Sequence, residues 1–319
     1  MIEQDHRKEI ERLERRVAQL NRFQNGIRRN GSNYVSIGRI EASRLCCPTE
    51  TRDSLEVCSY PFYHSPKFQT CIQVRCTVCG TAWVPDFDFS LDEYYRSDYA
   101  EQVQPFRRDH GGRFFDEGNP FWQTPTADRM VKRADRHLRL LALQDGESLL
   151  DVGPGVGITL SRSGERPRLA AELDEACHDI LTEEVAARLV DLARPDTRVD
   201  GIIASHVIEH LPLADLESFF DLLKQWARPG ARLVIEVPQG ALHAERIAHG
   251  SREKLPFEPH TISFSSLGLG SMLHSFGLEL LGLSIDALTA ERYMEEFDRR
   301  FRGVDVIEAS PIIALCRFP

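Results

Sequence analysis

Apolar and polar positions follow three patterns along the 319-residue chain, and the first lies near the N-terminus. Apolar residues recur there at spacings of 3, 4 and 3 from Ile10 to Leu20, within a strongly charged segment. This is the a/d periodicity of an amphipathic helix, although about two heptads are short for an independent coiled coil. The pattern predicts a helix over 1–28 that packs on its own protein, pairs with a second copy in a homodimer, or frays.

Short apolar runs alternate with helix-like stretches from about residue 120 onward. The predicted strands are 148–152, 169–173, 202–204, 233–237, 278–283 and 312–316, and the predicted helices are 127–143 and 213–226. Such alternation is typical of a parallel sheet with helices on both faces. We therefore predict an α/β domain over 116–319 with a doubly wound, mostly parallel sheet.

A cysteine-rich, aromatic module lies between these regions, over 29–115. Six of the eight cysteines fall between Cys46 and Cys79. In a reducing compartment such clustering indicates metal binding rather than disulfides. Apolar positions on both sides of the turn from Cys76 to Gly80 predict a short hairpin that presents the last two of these cysteines.

The pair Cys76 and Cys79 has the C-x-x-C-G spacing of a zinc knuckle, in which two thiolates lie on a tight turn. Tetrahedral zinc needs two more ligands, and we favour Cys47 and Cys58. The other candidates are Cys46, Cys71 and His64. With four protein ligands the zinc would be structural, because no position is left open for water.

Two alternatives to zinc stay open for this module. Cys71, Cys76 and Cys79 also have the spacing of plant-type ferredoxins, which favours an iron–sulfur cluster. The intervening residues 72–75 look like a strand rather than a loop that wraps a cluster. The second alternative is a set of metal-free thiols.

Composition and charge narrow the class of protein. Hydrophobic residues make up 42 % and charged residues 28 % of the chain, as in an ordinary folded protein. No apolar run approaches the roughly 20 residues of a membrane helix, and the first residues lack the apolar core of a signal peptide. We therefore expect a cytoplasmic protein with no membrane partner. The net charge of −10 makes nucleic acid an unfavourable partner.

A glycine turn follows the predicted strand 148–152. Gly153, Gly155 and Gly157 are spaced G-x-G-x-G, and not G-x-G-x-x-G as in dinucleotide-binding folds. Glycines let the backbone turn sharply and approach a ligand closely. The turn therefore indicates a ligand site. The alternative is that it only joins the strand to the next helix, which must be short because only 159–167 are available for it.

An acidic residue at the end of the next predicted strand strengthens this interpretation. Glu172 lies 19 positions after Gly153. Ligands of doubly wound sheets bind at the carboxyl ends of the strands, where these two elements meet. A carboxylate there can accept hydrogen bonds from both hydroxyls of a ribose. The alternative is a solvated surface glutamate.

These motifs resemble the class I S-adenosylmethionine-dependent methyltransferases. The resemblance is carried by 149–157, Glu172, 200–211, 228–238, and His260 with Phe264. It implies a Rossmann-like methyltransferase fold with a seven-stranded sheet and S-adenosylmethionine as the methyl donor. The implied donor-binding residues are Asp151, Gly153, Gly155, Gly157, Glu172, Asp191 and His206. In this family the glycine turn passes beneath the amino-acid end of the donor. The resemblance assigns Glu172 to the ribose and Asp191 to the adenine amino group.

Proton transfer is the chemistry that the protein itself has to supply, because a methyl sulfonium is already an activated electrophile. Histidine suits this task near neutral pH. His260 and His206 are the catalytic candidates, and His210 is a weaker one. In the family, a segment such as the one with His260 can roof the acceptor pocket. Each of these histidines can instead be structural.

The resemblance extends to the cysteine-rich module. Many methyltransferases of this class carry an N-terminal zinc ribbon that ends in C-x-x-C-G and precedes a tyrosine-rich helix. Residues 74–83, followed by 94–99, look like that arrangement. It implies a zinc-ribbon-like module before the catalytic domain.

The sequence therefore predicts a methyltransferase that acts on a small-molecule acceptor, such as a natural-product intermediate, a sugar or a glycan. One alternative is a methyltransferase that acts on a macromolecule. Another is a non-catalytic binding or scaffold protein with the same fold. A nicotinamide-dependent oxidoreductase is disfavoured by the glycine spacing. The acceptor and the choice between O-, N- and C-methylation stay open.

Overall fold

The structure is a computed structural model that describes residues 55–59, 72–84, 90, 113–241, 260–309 and 311–319. The predicted N-terminal helix, with its dimer contact, and the tyrosine-rich segment lie outside the described residues. The boundaries at 28/29 and 115/116 stay predictions. Among the helices described, none combines the length and the apolar character that crossing a membrane requires.

Twelve strands and five α-helices make up the described part. The strands are β1 (Leu55–Ser59), β2 (Ile72–Cys76), β3 (Ala82–Trp83), β4 (Leu149–Val152), β5 (Arg168–Ala171), β6 (Arg188–Leu189), β7 (Val199–Ser205), β8 (Ala227–Val237), β9 (Ile262–Ser263), β10 (Glu279–Leu283), β11 (Asp305–Val306) and β12 (Ile312–Arg317). The helices are α1 (Pro125–Leu141), α2 (Ile158–Ser161), α3 (Leu216–Trp226), α4 (Ser266–Ser275) and α5 (Met294–Arg300). Short 3₁₀ and π segments connect several of them.

The central sheet has the order β11-β10-β12-β8-β7-β4-β5-β6. Strands β6, β5, β4, β7 and β8 pair in parallel, whereas β12 is antiparallel to both of its neighbours. The prediction of a doubly wound, mostly parallel sheet is confirmed. Eight strands replace the seven that the resemblance implies, because the two-residue β11 adds to the edge of β10.

Helices cover both faces of this sheet, and the side chains of its strands alternate between the two. On β4, Leu149 packs in the cluster that includes α1 and α2, while Leu150 packs in the cluster that includes α3 and α4. Successive residues of a strand point to opposite faces, so a strand buried on both sides becomes a continuous apolar run. This is why the sequence predicted these strands as short apolar blocks.

The bounds of helices α1 and α3 follow from the residues at their ends. Thr124 caps the helix, because its hydroxyl accepts a hydrogen bond from the Ala127 N–H, and Pro125 occupies the first turn. The helix ends at Ala142 in a left-handed conformation with φ of 45°. Helix α3 begins three residues later than predicted, because Leu213–Asp215 form a separate 3₁₀ turn.

A second, antiparallel sheet has the order β1-β2-β3-β9. The predicted hairpin around the cysteine turn is confirmed as β2 and β3, with Val74 opposite Trp83. Strand β3 then pairs with β9, so Trp83 lies opposite Ile262. The hydroxyl of Tyr293 donates to the Thr77 carbonyl at 3.0 Å. The described part of the cysteine-rich module therefore packs directly on the C-terminal half of the chain.

Candidate active site

The glycine turn lies at the carboxyl end of β4 and leads into α2. All three glycines have positive φ, at 66° for Gly153, 57° for Gly155 and 79° for Gly157. A β-carbon on Gly153 would lie 2.9 Å from Val207 Cγ2, and one on Gly157 would lie 2.7 Å from Leu181 Cδ2. The turn therefore needs glycine both for its backbone conformation and for the closeness of its neighbours.

Glu172 follows β5 directly and contacts this turn. Its carboxylate accepts hydrogen bonds from the Gly155 N–H at 2.7 Å and from the Asp174 N–H at 2.8 Å. The structure thus brings together the two motifs that the sequence singled out. The next side chain, Leu173, is 98 % exposed, a feature that sequence reasoning missed. A large apolar residue beside an acid at a strand end was the available signal.

Asp151 and Asp191 occupy different environments. Asp151 is buried on β4, and burial, together with the nearby charge of Glu172, raises its pKa well above the usual value. Asp191 follows the short strand β6, is exposed, and forms an ion pair with Arg194 at 3.4 Å. Asp151 lies on β4 and Asp191 just after β6, the two strands on either side of β5, which Glu172 follows.

His206 follows β7 in a left-handed conformation with φ of 56°. Its backbone N–H donates to the Glu236 carbonyl at 2.8 Å. Its ring lies between two buried carboxylates, with Nδ1 3.0 Å from Glu209 Oε1 and Nε2 3.5 Å from Glu236 Oε1. Burial lowers the pKa of His206, but the two carboxylates outweigh it and raise the pKa to about 9. The ring therefore carries a positive charge at neutral pH.

Glu236 on β8 anchors a buried polar network that sequence reasoning missed. Its side chain is fully buried and contacts Arg133 at 2.9 Å, Arg136 at 2.7 Å and His137 at 2.8 Å. Burial opposes its ionisation, but the bonds from His137 and His206 and the charge of Arg133 hold its pKa well below the usual range. Burial lowers the pKa of His137 by more than its contact with Glu236 raises it. The signal was a glutamate within an apolar strand.

A second cluster contains Glu209, His210 and His260. One potential ligand atom from each lies within 4.8 Å of the other two. The rings of His210 and His260 pack edge to face, with centroids 4.9 Å apart. Burial opposes ionisation of Glu209, but His206, His210 and His260 face it and lower its pKa. The predicted catalytic residues His206 and His260 thus both lie beside Glu209, which belongs to the sequence motif 200–211.

The cysteine turn brings together part of the predicted zinc ligand set. Cys76 and Cys79 are both buried, and the Gly80 N–H donates to the Cys76 carbonyl at 2.8 Å. Cys58 lies on β1 opposite Gln73, whereas Cys76 lies opposite Leu55. Cys58 and Leu55 are three positions apart on the same strand, which corresponds to roughly 10 Å. Cys47 lies outside the described residues. The full ligand set stays a prediction.

The chain is similar in sequence to a methyltransferase family. Residues 127–283 match a family model described as a methyltransferase domain. A search of curated proteins gave no match. Similar solved structures include an S-adenosylmethionine-dependent methyltransferase from Aquifex aeolicus, at 16 % identity, covering 60 % of this chain and 98 % of that one, with a TM-score of 0.40. Another is the magnesium protoporphyrin IX methyltransferase from Synechocystis, at 15 % identity, covering 73 % and 100 %, with a TM-score of 0.44.

The matched segment holds the features on which the resemblance rested. It begins in α1 and ends with β10, and it contains the glycine turn, Glu172 and the parallel core of the sheet. Residues 127–283 therefore form a methyltransferase domain of the class I, S-adenosylmethionine-dependent type, and the chain is an enzyme of that type.

Proposed function

We propose that this enzyme transfers a methyl group from S-adenosylmethionine to a small-molecule acceptor. The observation that carries the proposal is the hydrogen bond between Glu172 and the Gly155 N–H at the carboxyl edge of the sheet. It joins a carboxylate that suits ribose hydroxyls to the glycine turn, to which we assign the amino-acid end of the donor. Ligands of doubly wound sheets bind at this edge.

The surroundings of Glu172 support the placement of the donor. Each carboxylate oxygen has two lone pairs, so oxygens that accept one backbone bond each can also accept from ribose hydroxyls. Leu173 offers an exposed apolar surface beside them, on which the adenine ring can pack. Asp191, at the end of the neighbouring strand, is assigned to the adenine amino group. Asp151, Gly153 and Gly157 complete the assigned donor site.

The segment 260–265 supports a small acceptor. His260 is buried, and β9 within this segment is held by β3. An enclosed imidazole suits a ligand that enters a pocket rather than a polymer that lies across a surface. The net charge of −10 also disfavours a nucleic-acid acceptor.

Of the two predicted catalytic histidines, His260 suits proton transfer better in a metal-free site. Both ring nitrogens of His206 face carboxylates, Glu209 and Glu236. That arrangement suits a positioned cation and not a group that takes a proton from the acceptor. The role of His206 is therefore to shape the site from the end of β7.

For the cysteine turn we propose a structural zinc ion with Cys76 and Cys79 as two of its four ligands. Thiolates on a tight turn suit this ion. The turn packs against the remainder of the protein, because the position of a β-carbon on Gly80 is occupied by the Leu288 side chain. A zinc ion would hold the turn in the one shape that fits against the Leu288 side chain.

The proposed function is tested first on the donor and then on the acceptor. We expect S-adenosylhomocysteine to raise the melting temperature of the protein, and NAD and NADP to leave it unchanged. A stabilising nicotinamide cofactor, with no effect of S-adenosylhomocysteine, would contradict the donor assignment. The acceptor class is then tested by incubating small-molecule libraries and nucleic acids with isotopically labelled donor and following the mass shift. Labelled nucleic acid, with no labelled small molecule, would contradict that part.

A further inference from the structure

We propose that Glu209, His210 and His260 bind one divalent transition-metal ion on the acceptor side of the site. The three side chains each place a potential ligand atom within 4.8 Å of the other two. Two imidazoles and one carboxylate form the ligand set of many catalytic zinc and non-haem iron sites. The site is separate from the cysteine turn and has a different ligand chemistry.

The carboxylate of Glu209 is the second observation that points to a cation. Its side chain is fully buried, and Oε1 bonds to the His206 ring at 3.0 Å. Within the described residues, Oε2 has no hydrogen-bond partner. A buried carboxylate oxygen without a partner is costly, and a metal ion bound there would remove that cost. His206 would then orient the ligand from behind, as outer-shell groups of metal sites do.

Backbone hydrogen bonds hold the three ligands in place. The Thr261 N–H and hydroxyl both donate to the Glu209 carbonyl, at 2.7 Å and 2.9 Å. His260 directly precedes Thr261, and Glu209 and His210 share one 3₁₀ turn, Ile208–His210. The two segments that supply the ligands are therefore bonded to each other. Fixed ligands of this kind reduce the ordering that metal binding requires.

The site lies close to the glycine turn. Val207, two residues before Glu209, would lie 2.9 Å through its Cγ2 from a β-carbon on Gly153. Three protein ligands leave at least one coordination position open. Building on the proposed function, we assign that position to an oxygen of the acceptor, so the acceptor class would be hydroxyl- or carboxylate-bearing molecules.

Methyl transfer at such a site needs no reactant other than the donor and the acceptor. Metal coordination lowers the pKa of a bound hydroxyl, whose proton leaves to solvent. The oxygen then forms a bond to the methyl carbon while the carbon–sulfur bond breaks, and the donor sulfur leaves as a neutral thioether. His260 as a ligand cannot also be the base, so this inference and the base role of His260 exclude each other.

The test is a Co²⁺ titration of the full chain carrying Cys76→Ser and Cys79→Ser, which removes the thiolate pair. We expect one Co²⁺ per chain with a visible spectrum that lacks thiolate charge transfer. His210→Ala should weaken binding by more than about 100-fold, beyond the loss typical of an outer-shell residue. His274→Ala is the matched control, because His274 is an exposed histidine on α4. It should bind Co²⁺ like the parent.

A second measurement needs no substitution. In the Co²⁺-loaded natural sequence, proton NMR should show two strongly shifted imidazole N–H signals, one from each ligand histidine. The absence of Co²⁺ binding in the cysteine variant, or unchanged binding in His210→Ala, would overturn the inference. Binding of S-adenosylhomocysteine is measured in parallel without metal. Its failure would contradict the proposed function and leave the metal result to be judged independently.

Discussion

The carboxylate of Glu172 accepts a hydrogen bond from the backbone N–H of Gly155 at 2.7 Å, which joins the ends of β5 and β4 across 17 positions of the chain. A backbone N–H in a tight turn needs a partner, and here an acidic side chain supplies it. A charge-assisted bond of this kind is stronger than one between neutral groups. The glycine turn is therefore held in one shape before any donor arrives.

Replacing Glu172 with Ala should weaken binding of S-adenosylhomocysteine. The variant loses the proposed ribose contacts and the bond that holds the turn, so we expect a loss of about 1–3 kcal/mol, measured by calorimetry. Glu175→Ala is the control, because Glu175 is exposed on the next 3₁₀ turn. Equal affinities for the two variants would contradict the role of Glu172.

Two glycines with the same backbone conformation separate strain from packing. Gly157 and Gly164 have φ of 79° and 77°, but only a β-carbon on Gly157 would meet neighbours, Leu181 and Val185. In urea unfolding we expect Gly164→Ala to cost about 1–2 kcal/mol, from the left-handed backbone alone. Gly157→Ala should cost about 1–3 kcal/mol more, from overpacking. Equal costs would show that the neighbours yield freely.

Removing the charge of Glu236 should destabilise the fold. Glu236→Gln leaves Arg133 and Arg136 without their buried partner, so we expect a loss of about 3–5 kcal/mol in the free energy of unfolding. The control is Glu279→Gln, because the pair of Glu279 with Arg317 is about half exposed. Exposed pairs contribute about 0–1 kcal/mol. Losses of equal size would show that burial of the network adds nothing.

The same carboxyl predicts a pH dependence. The pKa of Glu236 is lower in the folded protein than its usual value of 4.5. The unfolded chain therefore takes up this proton first, and the stabilisation is complete above the usual value and lost as the pH falls below it. The stability difference between the natural protein and Glu236→Gln should shrink as the pH falls through the usual value. A difference that stays constant with pH would contradict the assignment.

Replacing Cys76 with Ser should release the structural zinc. Metal analysis of the natural protein should find zinc, and the Co²⁺-substituted protein should show thiolate charge transfer that Cys76→Ser abolishes. Cys316→Ser is the control, because the Cys316 thiol is buried on β12, where burial raises its pKa. A brown, iron-containing protein would support the iron–sulfur alternative instead.

The parts of the fold that sequence reasoning predicted are those with a local pattern. The strands around Leu150, Ile202 and Val234 are apolar runs, and the glycine turn has its own spacing, so each is visible within a few residues. Strands β6 and β11 have two residues each, which is too short to produce a pattern. Their positions are set by pairing with neighbouring strands, and a local sequence pattern does not show which strands will pair.

The parts of the site that sequence reasoning missed depend on contacts between distant residues. Glu209 and Thr261 are 52 positions apart, and Glu236 contacts Arg136 across 100. No local periodicity reports such pairs. A buried glutamate in an apolar strand is visible, but its partners on α1 look like an ordinary charged helix face until the helix is placed on the sheet.

The pairing of β3 with β9 also sets an order of events during synthesis. Thr81 and Ser265, which bond side chain to side chain at 3.1 Å, are 184 residues apart. At bacterial or eukaryotic ribosome speeds of roughly 5–20 residues per second, the hairpin waits on the order of 10–40 s for this partner. Trp83 and the cysteine turn stay uncovered during that interval. The nascent chain thus completes the sheet that contains its N-terminal hairpin only after most of the enzyme has been made.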